Sequence, residues 1–321
     1  MPIYQLFLYL KQLRKDYFLE EYVFINSNSD FNPYPIIADN SEKKCLLCKS
    51  NSKPGEIITL SSEITVKLEN YAVANADDIF LDQNTMKNHF VADSSHQTLS
   101  KLSVSRLLKL LLEFQNINKQ MLSDNLKNIQ IYANSGLLSD GNPVHNGFEL
   151  VNLPIISPSL KKEIELSKKS IFDLGICPIC RIINFETGGP RQILSTVSFL
   201  AFCPWNSSHP FEFWIYPKSH QYSFTLIDDN EIEDLAQILR STLGGLDNVL
   251  NSPSYNIAFH NSLNEIDSEI HWHIEIIPQL SYDTGFDAGY GVYVNSLAPE
   301  NSAEILGKYS RRELASLVGV V

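Results

Sequence analysis

Leucines recur three and four residues apart over 99–122, and this spacing predicts a helix with one apolar face. Around it, short alternating or apolar runs at 56–60, 65–68, 89–92 and 129–134 predict strands. The polar stretch 26–40 reads as an irregular segment, and a lysine-rich amphipathic helix is predicted over 159–172. The same order then returns. Strands are predicted at 199–203 and 212–217, an amphipathic helix at 231–250, strands at 256–260 and 271–278, and a short final helix near 302–306.

The recurrence extends to individual residues. Cys45-x-x-Cys48 returns as Cys177-x-x-Cys180, 132 positions on, and Ser95-His96-Gln97 returns as Ser219-His220-Gln221, 124 on. Ala133-Asn134-Ser135 aligns with His260-Asn261-Ser262 at a distance of 127, and His145-x-x-x-Glu149 with His271-x-x-x-Glu275 at 126. Four landmarks in one order at a nearly constant distance indicate an internal duplication. The expected organisation is two α+β halves, 1–158 and 159–321, each an antiparallel sheet with helices packed on it.

Composition narrows the function. The 321 residues are 44% hydrophobic, enough for two ordinary cores, and the net charge is -12. That balance argues against a nucleic-acid-coating surface, which needs clustered Lys and Arg. No apolar run reaches the roughly 20 residues of a membrane span. The opening MPIYQLFLYLKQLRKDYF reads as a folded edge segment, not a secretory leader, so a soluble cytoplasmic protein is expected.

In such a setting, four of the five cysteines in two CxxC pairs point to metal or redox chemistry, not to a disulfide framework. Cys203 is left over and reads as a buried thiol. A thioredoxin-like role fits poorly, because neither pair opens a helix within a βαβ pattern. Structural zinc takes four tetrahedral ligands, and each half supplies a Cys2His2 set. The first is Cys45, Cys48, His96 and His145; the second is Cys177, Cys180, His220 and His271. Two zinc ions per chain are therefore expected.

At these residues the sequence resembles the galactose-1-phosphate uridylyltransferase family of the histidine-triad superfamily. CLLC, SSHQTLSKLS and IYANSG…NPVHNGFE carry the resemblance in the first half. CPIC, PFEFWIYPKSHQYSFTLIDDNEIEDLAQIL, YNIAFHNS, HWHIEIIP and GVYVNSLAPE carry it in the second. The resemblance implies a duplicated histidine-triad-like fold and a homodimer. It also implies nucleotidyl transfer between a nucleotide sugar and a sugar phosphate or phosphate, through a covalent nucleotidyl-histidine. Family members act through His-Pro-His-x-Gln, whose first His binds zinc and whose second attacks the α-phosphorus.

Here the stretch reads His145-Asn146-Gly147-Phe148-Glu149, so glycine stands at the nucleophile position and an acid replaces the glutamine. Asp140 adds charge to the preceding loop, Ala133 stands where many relatives have lysine, and Ser29 and Asn32 stand where the family often places arginines. The second half keeps His273 at the equivalent position, with Glu275 beyond it. Residues 271, 273 and 275 of a strand share one face. His273 and Glu275 are thus the candidate catalytic pair. In some family members the counterparts of Glu163, His260, His271 and His273 ligate a second metal instead, which competes with the zinc set for His271. Three readings stay open: an active nucleotidyltransferase or phosphorylase, a catalytically inactive zinc-stabilised binding protein, and chemistry relocated to His273. Trp205, Trp214 and Trp272 read as core or interface aromatics, and Lys218 and Arg181 as solvated cations within reach of an anionic ligand.

Overall fold

The computed structural model describes residues 11–26, 57–59, 64–73, 82–123, 129–135, 146–153, 155–262, 269–280 and 285–319. The chain enters through strands β1 (Lys11–Lys15) and β2 (Tyr22–Asn26), which pair antiparallel. The first-half sheet follows: β3 (Ile57–Thr59), β4 (Ile64–Val73), β5 (Asp82–Asp93), β6 (Ile129–Ser135) and β7 (Gly147–Asn152), with α1 (Val104–Ser123) between β5 and β6. Next come α2 (Pro158–Leu174) and α3 (Pro178–Glu186). The second-half sheet is β8 (Gln192–Ser195), β9 (Phe199–Phe202), β10 (Phe213–Pro217), β11 (Tyr255–His260) and β12 (His273–Pro278), with α4 (Asp229–Leu250) between β10 and β11. The chain closes with α5 (Gly285–Tyr290), β13 (Tyr293–Asn295), which pairs parallel with β2, and α6 (Pro299–Leu317).

The half-sheets have the same strand order, β3-β4-β5-β7-β6 and β8-β9-β10-β12-β11. They meet where β6 pairs antiparallel with β11, from Tyr255 opposite Ser135 to Phe259 opposite Ile131, and so form one ten-stranded sheet. This is the expected duplicated α+β fold. The core is continuous across the seam as well. Phe114 of α1 packs its ring 5.0 Å from Phe148 in its own half, and 5.1 and 5.5 Å from Phe224 and Phe259 in the other.

Local signals explain where the elements begin and end. Ser157 accepts a hydrogen bond from the Leu160 amide at the start of α2, and Gly175 closes that helix in the left-handed region at φ 70°. Asp228 and Glu231 form a reciprocal capping box on α4. The final helix is far longer than the short one expected near 302–306. Its buried stripe is Ser302, Ala303, Leu306, Gly307 and Ser310, mostly small residues that leave no apolar periodicity to read. They are small because α4 lies close: a Cβ on Gly245 would stand 2.9 Å from the Ser310 amide nitrogen.

α3 was not expected, and a buried ion network holds it in place. Arg191, 4% exposed, pairs with Glu186 (0%) at 2.7 Å and with Glu300 of α6 at 2.8 Å. Arg14 of β1 meets the same Glu300 at 3.2 Å and lies 3.9 Å over the Trp205 ring. Tyr17 donates its phenol to Glu186 at 2.6 Å. The N-terminal hairpin, α3 and α6 are thereby locked around one buried set of charges.

Candidate metal centre and sheet-face site

α3 begins at the second CxxC. Cys177 is its N-cap residue and Cys180 lies in its first turn, so both thiols sit at the positive end of the helix. His220 lies in the turn after β10, and His271 lies just before β12. The ligand atoms of Cys177, Cys180, His220 and His271 all lie within 4.8 Å of one another. Cys180 Sγ is 3.6 Å from His220 Nδ1 and 3.5 Å from His271 Nδ1. Bond lengths of about 2.3 Å to sulfur and about 2.05 Å to nitrogen in a tetrahedron put S and N about 3.6 Å apart, so the donor set fits zinc.

The far nitrogen of His271, Nε2, donates to the Pro217 carbonyl at 2.8 Å, which leaves Nδ1 as the free lone pair. The hydrogen bond from Cys180, helped by the two imidazoles, favours the thiolate at Cys177, and the same bond pushes the Cys180 thiol up. Burial pushes His271 down, toward the neutral imidazole that a metal requires.

A second group stands next to the first. Ligand atoms of Glu163, His260 and His273 also lie within 4.8 Å of one another. His271 Nδ1 stands beside Cys180 Sγ, and the ligand atoms of the trio come together without His271. His260 Nδ1 meets Glu163 Oε1 at 2.6 Å, and Glu275 reaches His260 Nε2 at 3.5 Å and His273 Nε2 at 3.4 Å. Burial acts to lower the His260 pKa, but Glu163 and Glu275 outweigh it and hold the imidazole up at about 10. Burial likewise works against the Glu275 charge, and His260 overrides it, leaving that carboxyl below its ordinary value. Beside the trio lies a cavity of about 140 Å³, walled by Asp16, Glu21, Glu163, Glu212, Glu275 and His260. Such a wall attracts cations.

His273 is 2% exposed. Its ring is stacked between Tyr216, with centroids 4.5 Å apart, and His260, at 4.6 Å. Tyr216 was not expected in this role; the one pointer to it is the offset of 124, which aligns Tyr216 with Ala92 of the first half.

In the first half, Cys45, Cys48, His145, Ser29, Asn32 and Asp140 lie outside the described residues. His96 is exposed in the turn after β5. That turn is tied down by Asp93, which accepts from Ser95 and receives Arg106 of α1 at 2.8 and 2.7 Å. Gly147 pairs with Ala92 across β5 and β7. A Cβ built on Gly147 would collide with the Val91 carbonyl oxygen, and would stand 2.6 Å from Ala92 Cα and 2.8 Å from Val91 C. Glu149, two residues on, accepts from Tyr132 at 2.7 Å and Asn88 at 3.1 Å. Tyr132 lies opposite Glu149, so Ala133 turns to the other face, where it is 1% exposed in the core. Ala133 therefore does not occupy a ligand-facing lysine position. Asn134, one residue on, is the sheet-face counterpart of His260.

Trp272 is buried in the core, as expected, and Trp214 packs at 5.9 Å on His273. Cys203 is fully buried. Lys218 donates to the Thr196 carbonyl, so it is not a solvated cation, whereas Arg181 is exposed.

Two half-sheets of one strand order, joined edge to edge and carrying histidines at the strand ends, define a duplicated histidine-triad-like protein. Comparisons with known proteins agree with this class, although no family model matches the chain. The chain is 30% identical to an ADP-glucose phosphorylase of Arabidopsis thaliana over 201 residues, 61% of this chain and 56% of that protein. It is 25% identical to a galactose-1-phosphate uridylyltransferase of Thermotoga maritima over 193 residues, 57% of this chain and 60% of that protein. The matched stretch is thus less than two thirds of either relative. The solved structure of a galactose-1-phosphate uridylyltransferase-like protein from Arabidopsis thaliana superposes with a TM-score of 0.74 at 25% identity, covering 94% of this chain and 99% of that one. The chain is thus similar to proteins of the galactose-1-phosphate uridylyltransferase family and shares their duplicated histidine-triad-like fold. No helix among the described residues is long and apolar enough to cross a membrane.

Proposed function

We propose that this chain is a zinc-bearing member of the family that binds a nucleotide sugar or sugar phosphate without forming a covalent nucleotidyl-histidine in its first half. The observation that carries this reading is Gly147. The family's transfer chemistry needs an imidazole there, and the β5 backbone occupies the space where even a Cβ would stand. Glu149 adds a carboxylate to the same face, which opposes an anionic phosphate.

Cys177, Cys180, His220 and His271 are the proposed ligands of one zinc, and Cys45, Cys48, His96 and His145 those of another. Bound there, zinc supplies cross-links between distant segments and no open coordination position. Glu163, His260 and His273 are the proposed holders of a further cation. The rival reading, with His273 as nucleophile and Glu275 as its partner, is favoured by their shared face and their 3.4 Å contact. The burial of the His273 ring between two others weighs against it.

The test uses nucleotide sugars radiolabelled at the α-phosphate, with trapping of any acid-labile phosphohistidine. The expected result is ligand binding without covalent label. Label that disappears in His273→Ala supports the rival reading, and label that persists in that variant refutes both. Metal analysis is the companion measurement: two zinc ions per chain are expected, and fewer than one overturns the metal assignment.

A further inference from the structure

The α2–α3 corner carries a groove of about 760 Å³ that shares no lining residue with the acidic cavity of the sheet face, the two lying on either side of the 16–19 turn. One wall is a stripe of α2 that includes Leu166, Lys169, Asp173 and Leu174, and the other a stripe of α3 that includes Arg181, Ile182 and Phe185. Residues at these spacings share one helix face. Tyr17 and Phe18, from the turn after β1, complete the lining.

Three features set this groove apart from an ordinary surface. First, the Tyr17 ring is held rigidly, because its hydroxyl donates to Glu186 at 2.6 Å and accepts the Trp205 amide at 2.9 Å. Second, Phe185 is 70% exposed and Leu174 61%, although both stand beside a concavity able to shelter them. Third, Lys169 and Arg181 have no ion-pair partner among the described residues, in a chain whose net charge is -12. Aromatic faces beside two unpaired cations complement a ligand with a flat π-system and a negative group. The volume suits one small molecule.

We propose that the α2–α3 groove is a binding site for a small aromatic anion of the nucleoside phosphate class, separate from the sheet face. The base stacks on Phe185 and the Tyr17–Phe18 floor, Lys169 and Arg181 meet the phosphate, and Asp173 accepts a ribose hydroxyl or exocyclic amine. Because Arg181 directly follows Cys180, an occupant here lies against the helix that carries the cysteine pair.

The experiment is titration of the metal-loaded full chain with AMP, followed by ligand-observed NMR and calorimetry. It is repeated on Phe185→Ala and Lys169→Glu, two exposed positions away from the metal ligands, with melting temperature and zinc content as controls. Each variant is expected to weaken AMP binding about tenfold with both controls unchanged. Adenosine and ribose 5-phosphate, each with half of the recognition chemistry, are expected to bind more weakly than AMP. Failure of AMP to saturate overturns the proposal. So does AMP affinity unchanged in both variants, which would put the nucleotide on the sheet face alone. Dodecanoate binding more tightly than AMP through the same two residues would make the groove an acyl site and overturn the assignment.

Discussion

Restoring the family's nucleophile by Gly147→His should damage this protein without activating it. A Cβ at this position would stand 2.6 Å from Ala92 Cα. Ordinary contact between carbons needs about 3.5 Å, so the strands would have to part by about 1 Å. The separation falls on the β5–β7 ladder, where Val91 lies opposite Phe148 and Ala92 opposite Gly147. Overpacking costs about 1–3 kcal/mol, and each weakened ladder hydrogen bond about 1 kcal/mol. A loss of roughly 2–4 kcal/mol follows, equivalent to a fall of about 3–6 °C in Tm for a chain of this size. The assay is differential scanning calorimetry on the zinc-loaded variant, paired with α-phosphate label trapping. Gly147→Ala is the control, because the clash begins at Cβ and alanine should lose nearly as much as histidine. An alanine variant as stable as the parent, or a histidine variant that folds unchanged and acquires label, would show that the β5 backbone does not exclude a side chain here.

Three further outcomes follow from the geometry. Cys180→Ser should lower zinc content by about one ion per chain and destabilise by several kcal/mol, with chelator lowering the parent's Tm and leaving less to lose in the variant. Arg191→Met should cost about 3–5 kcal/mol by leaving Glu186 buried without a counter-charge, whereas Arg191→Met with Glu186→Leu should recover part of that loss; denaturant melts decide it. Asp93 is held below its ordinary carboxyl pKa because Arg106 and the Ser95 donors outweigh its burial. Its contribution is therefore present above the unfolded value of about 3.9 and lost as pH falls through the lower folded value. The stability difference between the parent and Arg106→Gln, of the order of 1–3 kcal/mol at pH 7, should shrink in acid-unfolding curves only below about pH 4.

The duplication was legible because it rests on residues that tolerate few substitutes: paired cysteines, histidines at fixed offsets and a repeated Ser-His-Gln. Long apolar periodicity likewise revealed α1, α2 and α4. What could not be read was set by contact between distant segments. α6 packs through serine, alanine and glycine, whose smallness matters only because α4 lies against it. α3 is short, and its Glu186 is held by Arg191 and Tyr17 in a network that reaches Glu300 of α6 and Arg14 of β1, far away in sequence. Ala133 was aligned one residue away from its structural counterpart, because the offset of 127 ignores the pleat that sends it to the core. Which His271 nitrogen faces the cysteines could not be read either, because it depends on the Pro217 carbonyl that only the folded chain brings to the ring.

The β6–β11 seam has a consequence for how this molecule can be divided. Each half-sheet ends in a strand whose inner face is apolar and whose open ladder is satisfied only by the other half. A gene fragment encoding one half would present that strand as a bare template for edge-to-edge pairing. Expressed alone, such a fragment should pair with a copy of itself or aggregate, while the two fragments produced together should find each other. The duplication that doubled the chain also removed its most adhesive edge, by turning two potential partners into one polypeptide.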